Sequence, residues 1–225
     1  MFKTETHLHV SEVSSCSHLC AKDMIQLYQQ AGYHTVFVTD HLTSRYFSRL
    51  GEIAWSEKTA AFLRGYERAK QAGEALGVTV LLAAELSLNA WPNDYLLYGF
   101  DKAFLDSRED LFDLSVEALH AHAKAHGVTV IQAHPNRDGY CIPTPEHVDA
   151  LEAYNSNPRH ENHTKSMLAL AAEHALPVAA GSDAHRPEDV ARTGIVTEQP
   201  IRCTEDYLRA LYSGRFTVVN EESLL

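Results

Sequence analysis

The chain has 225 residues and a formal net charge of −11, because 19 Lys and Arg stand against 30 Asp and Glu, and 45% of its residues are hydrophobic. This length and composition suit one large globular domain or two small ones, with enough apolar residues for a full core. An acidic surface repels phosphate backbones, so a protein that coats nucleic acid is not expected. A phosphorylated substrate stays open, because bound cations would reverse the field locally.

The stretch MFKTETHLHV lacks the apolar region of a signal peptide, and no apolar run approaches the length that crosses a bilayer. The four cysteines, Cys16, Cys20, Cys141 and Cys203, include no C-x-x-C pair, so a zinc ribbon or a thioredoxin-type motif is not expected. We therefore expect a cytoplasmic chain with reduced cysteines, in which Cys16 and Cys20 are packing residues rather than ligands.

Segments typical of strands and helices alternate along the chain, with no repeat of fixed period and no flexible linker. Apolar and β-branched runs predict strands over residues 2–9, 35–41, 78–88, 94–99, 128–135, 148–154, 177–185, 194–197 and 216–220. Apolar residues at helical spacing predict helices over residues 17–31, 57–76, 110–126, 161–175 and 204–212. Residues 42–56 are predicted to form a loop whose exposed aromatics, Tyr46, Phe47 and Trp55, serve as a lid, a substrate wall or a dimer contact.

Six or seven such βα units predict an α/β fold with a largely parallel sheet and right-handed crossovers. The sheet is either closed into a barrel or open and doubly wound. Residues 7–20 contain no glycine, so the glycine-rich turn of a dinucleotide-binding unit is absent. A barrel is therefore favoured, and barrel enzymes place their chemistry at the C-terminal ends of the strands.

The ends of the predicted strands carry imidazoles and carboxylates. These residues are His7, His9, Asp40, His41, Glu85, Asp94, His134, Asp183 and His185. His7 and His9 are two positions apart in a strand, so both rings face the same side. Imidazole and carboxylate together suit zinc, manganese or iron, and more than four ligands imply more than one ion. Neighbouring ions suit phosphoryl transfer, because one lowers the pKa of bound water to about 7 while the others clamp the attacking and leaving oxygens.

The motifs THLH, VTDH, AAELSL, IQAHP and GSDAH resemble the five motifs of the PHP (polymerase and histidinol phosphatase) superfamily, in the family's order. The resemblance implies a single PHP-like domain over residues 1–225, folded as a distorted (β/α)7 TIM-like barrel. It also implies two or three divalent metal ions per chain, usually zinc, manganese or iron. Members are mostly phosphoesterases, and some are exonuclease or proofreading domains attached to DNA polymerases.

The resemblance also implies a role for most motif residues. His7 and His9 match ligands of one metal, and Asp183 matches the carboxylate that returns to it. Glu85 matches the carboxylate that bridges two metals, and His134 matches a ligand of the second metal.

The third metal is less completely provided for. His41 and His185 match two of its ligands, but the family often adds an Asp or His five to seven residues after the first motif. Glu12 is the nearest candidate, with His18 behind it, so the third site stays open. Asp94 stands where many relatives carry a His, and a carboxylate there favours manganese or iron over zinc.

Cationic side chains follow three of the strands. Arg137, Arg159 and Arg186 are expected at the same end of the barrel, and an Arg fork binds phosphate oxygens at two points. We favour Arg137 and Arg159 as phosphate ligands, with surface salt bridges as the alternative. Asp40 is expected to orient His41 or an adjacent ring N–H, and Glu152 either orients a ligand or is an ordinary buried carboxylate.

The sequence therefore predicts a metal-dependent phosphatase in which a metal-bridged hydroxide attacks a small phosphomonoester. Glu85, Asp183, Arg137 and Arg159 are its expected catalytic residues. The substrate is expected to be small because the barrel uses most of the chain. An amidohydrolase-type C–N hydrolase is the first alternative, although such enzymes usually have a carboxylated Lys or a His where this chain has Glu85. A non-catalytic metal-binding module is the second alternative. Oligomer formation stays open, and no membrane partner is expected.

Overall fold

The computed structural model describes residues 1–90 and 92–224. Its strands are β1 (Phe2–Leu8), β2 (Tyr33–Val38), β3 (His41–Leu42), β4 (Thr79–Ser87), β5 (Asp94–Tyr98), β6 (Thr129–Gln132), β7 (Ala150–Asn155), β8 (Val178–Gly181), β9 (Ile195–Thr197) and β10 (Thr217–Val218). Its α-helices are α1 (Ala21–Gln30), α2 (Ser44–Arg49), α3 (Trp55–Phe62), α4 (Arg64–Leu76), α5 (Lys102–Asp106), α6 (Val116–Ala125), α7 (Thr164–Glu173) and α8 (Thr204–Ser213). Among these helices, none combines the length and the apolar composition needed to span a bilayer.

The strands form one sheet in the order β10-β9-β1-β2-β4-β5-β6-β7-β8, with β3 paired to β4. A parallel bridge between Leu8 and Ala184 joins the end of β1 to the segment that follows β8. Seven strands, β1, β2 and β4 to β8, therefore form a nearly closed barrel, and β9 and β10 extend it beside β1. The predicted α/β class and the distorted seven-stranded TIM-like barrel are confirmed.

One barrel strand runs against the others. β5 pairs antiparallel with both β4 and β6, whereas the remaining neighbours within the barrel are parallel. The link over residues 88–93 is too short for a parallel crossover, which needs about a dozen residues, so β4 and β5 form a hairpin. As a result Asp94, the first residue of β5, lies opposite Ser87 at the C-terminal end of β4.

The helical predictions need correction at several boundaries. The helix predicted from residue 17 begins at Ala21, and the helix predicted from residue 110 begins at Val116, after Ser115 accepts a hydrogen bond from the Ala118 N–H. The single helix predicted over 57–76 is two helices, α3 and α4, which meet at Leu63. Gly77 ends α4 with a left-handed φ of 73°, as its position predicts.

The prediction of an exposed aromatic loop over residues 42–56 is wrong. Helix α2 occupies part of the segment, and Phe47 is buried. Tyr46 and Trp55 pack against the same apolar cluster, and the indole N–H of Trp55 donates a hydrogen bond of 2.8 Å to the Leu105 carbonyl. These rings belong to the core, because burial of each aromatic face outweighs the local preference for a loop.

The barrel interior is filled below its C-terminal end. Phe37, Tyr98 and Tyr207 pack ring against ring with centroids 4.9 to 5.2 Å apart, and the Tyr98 hydroxyl donates to the Thr6 carbonyl. Side chains alternate along each strand, so Glu85 lies on the same side of β4 as Ala83, which belongs to this interior cluster. This apolar cluster therefore lies directly beneath the polar residues at the C-terminal end of the barrel.

Candidate metal centre

The C-terminal end of the barrel brings eight of the nine predicted metal ligands together. They form three groups, and within each group the donor atoms lie within 4.8 Å of one another. The groups are His7, His9, Glu85 and Asp183; Glu85, Asp94 and His134; and His9, His41 and His185. Because Glu85 and His9 each belong to two groups, the three groups form one continuous centre.

The first group is built at the end of β1, where His7 lies in the strand and His9 directly follows it. His7 and His9 face the same side of the chain, and their Nε2 atoms are 3.1 Å apart. Asp183 Oδ1 lies 3.3 Å from His9 Nε2 and 3.5 Å from His7 Nε2. The loop after β8 therefore carries the carboxylate back to the two imidazoles of β1, as the resemblance implies.

Glu85 lies at the middle of the centre, and its two oxygens face different groups. Oε1 lies 2.9 Å from His134 Nε2, while Oε2 lies 2.8 Å from His41 Nδ1. The Nε2 atoms of His7 and His9 each lie 3.4 Å from one of these oxygens. A carboxylate placed in this way could hold two ions, one on each oxygen.

The second group contains Asp94, which the antiparallel strand β5 brings next to His134. Asp94 Oδ2 lies 3.9 Å from His134 Nε2, and the Ser87 hydroxyl donates a short hydrogen bond to Asp94 Oδ1. Burial, together with the charge of Glu85, raises the pKa of Asp94. Asp94 thus lies where its carboxylate can join His134 around one ion.

Two of the candidate ligands lie on strained backbone. His134 and Asp183, which follow β6 and β8, have φ angles of 29° and 52°. Residues other than glycine rarely adopt such positive φ values, and the strain costs about 1–3 kcal/mol for each residue. Strain of this kind concentrates at functional sites, where the surrounding structure holds it in place.

The charges of the centre favour the ionised forms of Glu85 and Asp183. Burial raises the pKa of Glu85, but the imidazoles of His7 and His41 outweigh it and hold that pKa well below its usual range. The pKa of Asp183 is likewise held low, against burial, by His7 and Arg137. Buried anions need compensating cations, so a metal ion bound at this end of the barrel would be stabilised by these carboxylates.

Glu152 on β7 contacts the first group through His7. Its Oε1 lies 2.8 Å from His7 Nδ1, and its Oε2 accepts hydrogen bonds from the His134 N–H at 3.1 Å and the Asn155 side-chain amide at 2.8 Å. The Nδ1 proton of His7 is thereby held on the carboxylate, which leaves the Nε2 lone pair for a metal. Of the two roles left open for Glu152, the structure favours the orienting one.

Asp40 makes no direct contact with the His41 ring, and it reaches the adjacent His9 ring only through Ser14, whose Oγ lies 3.4 Å from His9 Nδ1. Its Oδ1 accepts hydrogen bonds from the Val10 N–H at 2.9 Å and the Ser14 hydroxyl at 2.7 Å. Ser14 Oγ in turn accepts a hydrogen bond of 3.0 Å from the His41 backbone N–H. Burial raises the pKa of Asp40 to about 7. The carboxylate of Asp40 therefore fixes the loop after β1.

Glu12 is the predicted ligand that the structure does not bring to the centre. Its Oε2 accepts a hydrogen bond of 2.9 Å from the Ala21 N–H, and its Oε1 lies 3.7 Å from Arg68 Nη1. A carboxylate at the first turn of a helix satisfies a free N–H and favours the helix dipole, so α1 holds this side chain away from the metals. The alternative candidate, His18, has an exposed side chain, and its backbone N–H donates to the His185 carbonyl at 2.8 Å.

Cys16, which was expected to be a packing residue, is exposed in the segment that follows β1. Burial opposes the ionisation of the thiol, but the nearby imidazoles of His185 and His41 lower its pKa to about 6. Cys16 lies seven residues after His9, within the interval in which the family often places a ligand, and this spacing is the signal that could have identified it.

The two favoured arginines have different surroundings. Arg137 Nη2 donates a short hydrogen bond to Asp183 Oδ2 and a longer one of 3.3 Å to Asn155 Oδ1. Its Nε is buried and finds no partner among residues 1–90 and 92–224. Arg137 therefore touches a candidate metal ligand directly, and its contact with phosphate stays a prediction.

Arg159 needs a correction, because its guanidinium is engaged elsewhere. Its two Nη atoms each donate a hydrogen bond of 2.7 Å to the carboxylate of Asp189, which is buried. Asp189 Oδ2 also accepts hydrogen bonds of 2.9 Å from the backbone N–H groups of His185 and Arg186. Arg159 thus anchors the loop that carries His185, instead of facing the centre as a free phosphate ligand.

Comparison with known proteins supports the family resemblance. Residues 163–216, which contain Asp183 and His185, match a family model described as PHP-associated. No curated protein sequence matches the chain.

Solved structures share the fold at low sequence identity. A two-domain protein of Bacteroides vulgatus containing a predicted PHP-like metal-dependent phosphoesterase aligns with a TM-score of 0.68 and 16% identity over 96% of this chain. This chain spans 64% of that protein. A metal-dependent phosphoesterase of Bifidobacterium adolescentis aligns with a TM-score of 0.60 and 15% identity, over 94% of this chain and 96% of its own length. An amidohydrolase of Chromobacterium violaceum aligns with a TM-score of 0.57 and 14% identity, over 98% of this chain and 99% of its own length.

At these identities the likeness establishes the barrel and not the substrate. The five motifs stand in the family's order, and their imidazoles and carboxylates converge at one end of that barrel. With the match over residues 163–216, these observations support the resemblance of the chain to the PHP superfamily.

Proposed function

We propose that the chain is a metal-dependent phosphatase that hydrolyses a small phosphomonoester. The observation that carries the proposal is the position of Glu85, whose two oxygens face separate groups of imidazoles at 2.9 and 2.8 Å. Such a carboxylate suits a centre with more than one ion, and clustered ions suit phosphoryl transfer.

The residues of the centre fit divalent metal ions. Glu85 and Asp183 are buried carboxylates that each face imidazoles, and His7 is held by Glu152 with its Nε2 toward the centre. Imidazole and carboxylate are the donors that zinc, manganese and iron accept. When bound, such ions supply Lewis acidity and lower the pKa of a coordinated water to about 7.

The protein's own groups would orient the substrate. Asp183 turns Oδ1 toward the imidazoles of β1 and Oδ2 toward Arg137 and Asn157. This arrangement fixes Arg137 at the edge of the centre, where its unpaired Nε offers a donor to a phosphate oxygen. The acidic chain and the size of the barrel favour a small substrate over a nucleic acid.

The experiment compares hydrolysis of p-nitrophenyl phosphate by metal-free protein and by protein supplied with Mn²⁺, Zn²⁺ or Fe²⁺. We expect activity only with metal, and a loss of at least about 100-fold in Glu85→Gln, since even outer partners of metal ligands cost about 10–100-fold. Glu146→Gln, which changes an exposed carboxylate outside the centre, is the matched control. Activity that needs no metal, or that survives Glu85→Gln, contradicts the proposal.

An amidohydrolase-type C–N hydrolase is the second candidate, because the Chromobacterium violaceum amidohydrolase shares the fold. The chemistry of Glu85 favours the first candidate, since a carboxylate bridge suits a phosphoesterase of the PHP type. The same metal-loaded protein is therefore tested on amides and lactams. Hydrolysis of these compounds without hydrolysis of phosphomonoesters would replace the first candidate by the second.

A further inference from the structure

Strand β1 contains an extra residue just before the metal centre. Glu5 pairs with Val36 of β2, and the next paired residue of β1, Leu8, pairs with Val38. Three steps along β1 thus match two steps along β2, which is the pattern of a β-bulge. A bulge removes backbone groups from the regular ladder and changes the direction of the side chains that follow, so the freed N–H groups need other partners.

The bulge separates the directions of Glu5 and His7. Residues two positions apart in a regular strand face the same side. Here, however, Glu5 Oε2 accepts a hydrogen bond of 2.7 Å from the hydroxyl of Tyr28, which lies on α1. The Nε2 atom of His7 instead faces the carboxylates of Glu85 and Asp183. The extra residue in β1 therefore allows His7 to reach the centre while Glu5 contacts the helix.

The carboxylate of Glu5 satisfies the N–H groups at the bulge. Its Oε1 accepts hydrogen bonds of 2.9 Å from the backbone N–H groups of Thr6 and His7. The same oxygen accepts a third hydrogen bond, also of 2.9 Å, from the Ser182 N–H. Glu5 and the three donor residues are fully buried, so water cannot replace the carboxylate as their acceptor.

This one oxygen holds the backbones of two candidate metal ligands that are distant in the chain. His7 is one of them, and Ser182 directly precedes the other, Asp183, whose φ of 52° is strained. The Ser182 hydroxyl is held as well, since it accepts a hydrogen bond of 3.1 Å from the Thr193 N–H. The contact lies where β1 meets the segment after β8, which is the junction that closes the barrel.

We propose that Glu5 is a positioning residue of the metal centre, whose Oε1 fixes the backbone of His7 relative to that of Asp183. The position of the accepting oxygen matters here rather than its charge, because the four groups that donate to the carboxylate are uncharged. This inference rests on the metal centre of the proposed function, but it does not depend on which substrate that centre hydrolyses.

Two substitutions separate the position of the oxygen from its charge. Glu5→Gln keeps the length of the side chain and an accepting oxygen, and its amide can donate to the Tyr28 hydroxyl oxygen. Glu5→Asp keeps the charge but is one methylene shorter, which withdraws the oxygen from the three N–H groups. Affinity for Mn²⁺ is measured by competition with a chromophoric chelator. It should match the wild type in Glu5→Gln and fall by about 10–100-fold in Glu5→Asp, the loss expected for an outer partner of metal ligands.

Tyr28→Phe is the matched control for a general loss of stability. It removes the hydrogen bond to Oε2 and leaves the three hydrogen bonds to Oε1 in place. It should therefore lower the urea midpoint of unfolding without changing the affinity for Mn²⁺. Circular dichroism establishes that each variant is folded under the conditions of the metal titration.

A folded Glu5→Asp protein that binds Mn²⁺ as tightly as the wild type would overturn the inference. A loss of affinity in Glu5→Gln or in Tyr28→Phe would also overturn it, and these two variants decide the matter if Glu5→Asp does not fold. The expected affinities without any hydrolysis of phosphomonoesters would support the role of Glu5 and count against the proposed function alone.

Discussion

Glu152 Oε1 lies 2.8 Å from Nδ1 of His7, and both side chains are fully buried. This contact decides which nitrogen of His7 is available to a metal, because the Nδ1 proton is held by the carboxylate and the Nε2 lone pair faces Glu85 and Asp183. Glu152, which is not itself a candidate ligand, thus determines which nitrogen of His7 can bind a metal.

Glu152→Gln should therefore weaken metal binding without removing a ligand. Both oxygens of Glu152 face N–H donors, so the amide group of glutamine would place a donor against a donor on one side. We expect a loss of about 10–100-fold in affinity for Mn²⁺, measured by competition with a chromophoric chelator. The exposed Glu146→Gln should keep the wild-type affinity, and an equal loss in both variants would contradict the orienting role.

Gly181→Ala should disturb the same contact from the other side. A Cβ at this position would lie 2.5 Å from His7 Cβ and 2.7 Å from Glu152 Oε1, so one of the two side chains must move. Overpacking of this kind costs about 1–3 kcal/mol in the free energy of unfolding, and we expect weaker metal binding as well. Urea unfolding of metal-free protein measures the first effect, and chelator competition the second.

Gly32→Ala is the control for this variant. Gly32, unlike Gly181, has a positive φ, of 77°, and a Cβ there meets nothing within 4 Å. It should lower stability by about 1 kcal/mol and leave metal affinity unchanged. If Gly181→Ala bound metal as tightly as Gly32→Ala, the close approach at β8 would have no role in placing His7.

Arg159→Lys distinguishes an anchor from a phosphate ligand. If the guanidinium anchors the His185 loop through Asp189, its replacement should lower the free energy of unfolding by about 1–3 kcal/mol, because lysine cannot make both hydrogen bonds. Asp189→Asn should show a similar loss, and the double variant should lose less than the sum of the two. An unchanged stability with a raised KM for phosphomonoesters would return Arg159 to the role that the sequence suggested.

The pH dependence of stability tests the same ion pair. Burial raises the pKa of Asp189, but hydrogen bonds from Arg159 and the His185 N–H outweigh it, so the folded pKa lies below the ordinary value of 3.8. A lowered carboxyl pKa stabilises the fold above the unfolded pKa, and this contribution is lost as the pH falls through the folded pKa. The stability difference between wild type and Asp189→Asn should stay constant from about pH 7 to 5 and shrink below about pH 3.8. A difference that grew on acidification would contradict this assignment.

Local rules were sufficient to predict most of the centre. The period of two in a strand aligned His7 with His9, and the end of each parallel strand located His41, Glu85 and His134. The direction of β5 could also have been predicted, because residues 88–93 are too few for a crossover.

The remaining features depend on contacts distant in sequence. No periodicity fixes the path of the loop after β1, so Glu12 was expected at the metals and Cys16 in the packing. The pairing of Arg159 with Asp189 joins residues thirty positions apart, and the burial of Phe47 depends on tertiary partners such as Phe112. In each case the sequence identified a chemically capable side chain, and only the fold determined its partner.

The central claim is that Glu85 would bridge two ions in the metal-loaded protein, and electron paramagnetic resonance of the Mn²⁺-loaded protein tests it most directly. The account predicts the spectrum of a spin-coupled manganese pair in the wild type and in Glu146→Gln, and its replacement by the spectrum of isolated ions in Glu85→Gln. A wild-type protein that shows only isolated Mn²⁺ at saturating metal, or a coupled pair that persists in Glu85→Gln, would contradict it.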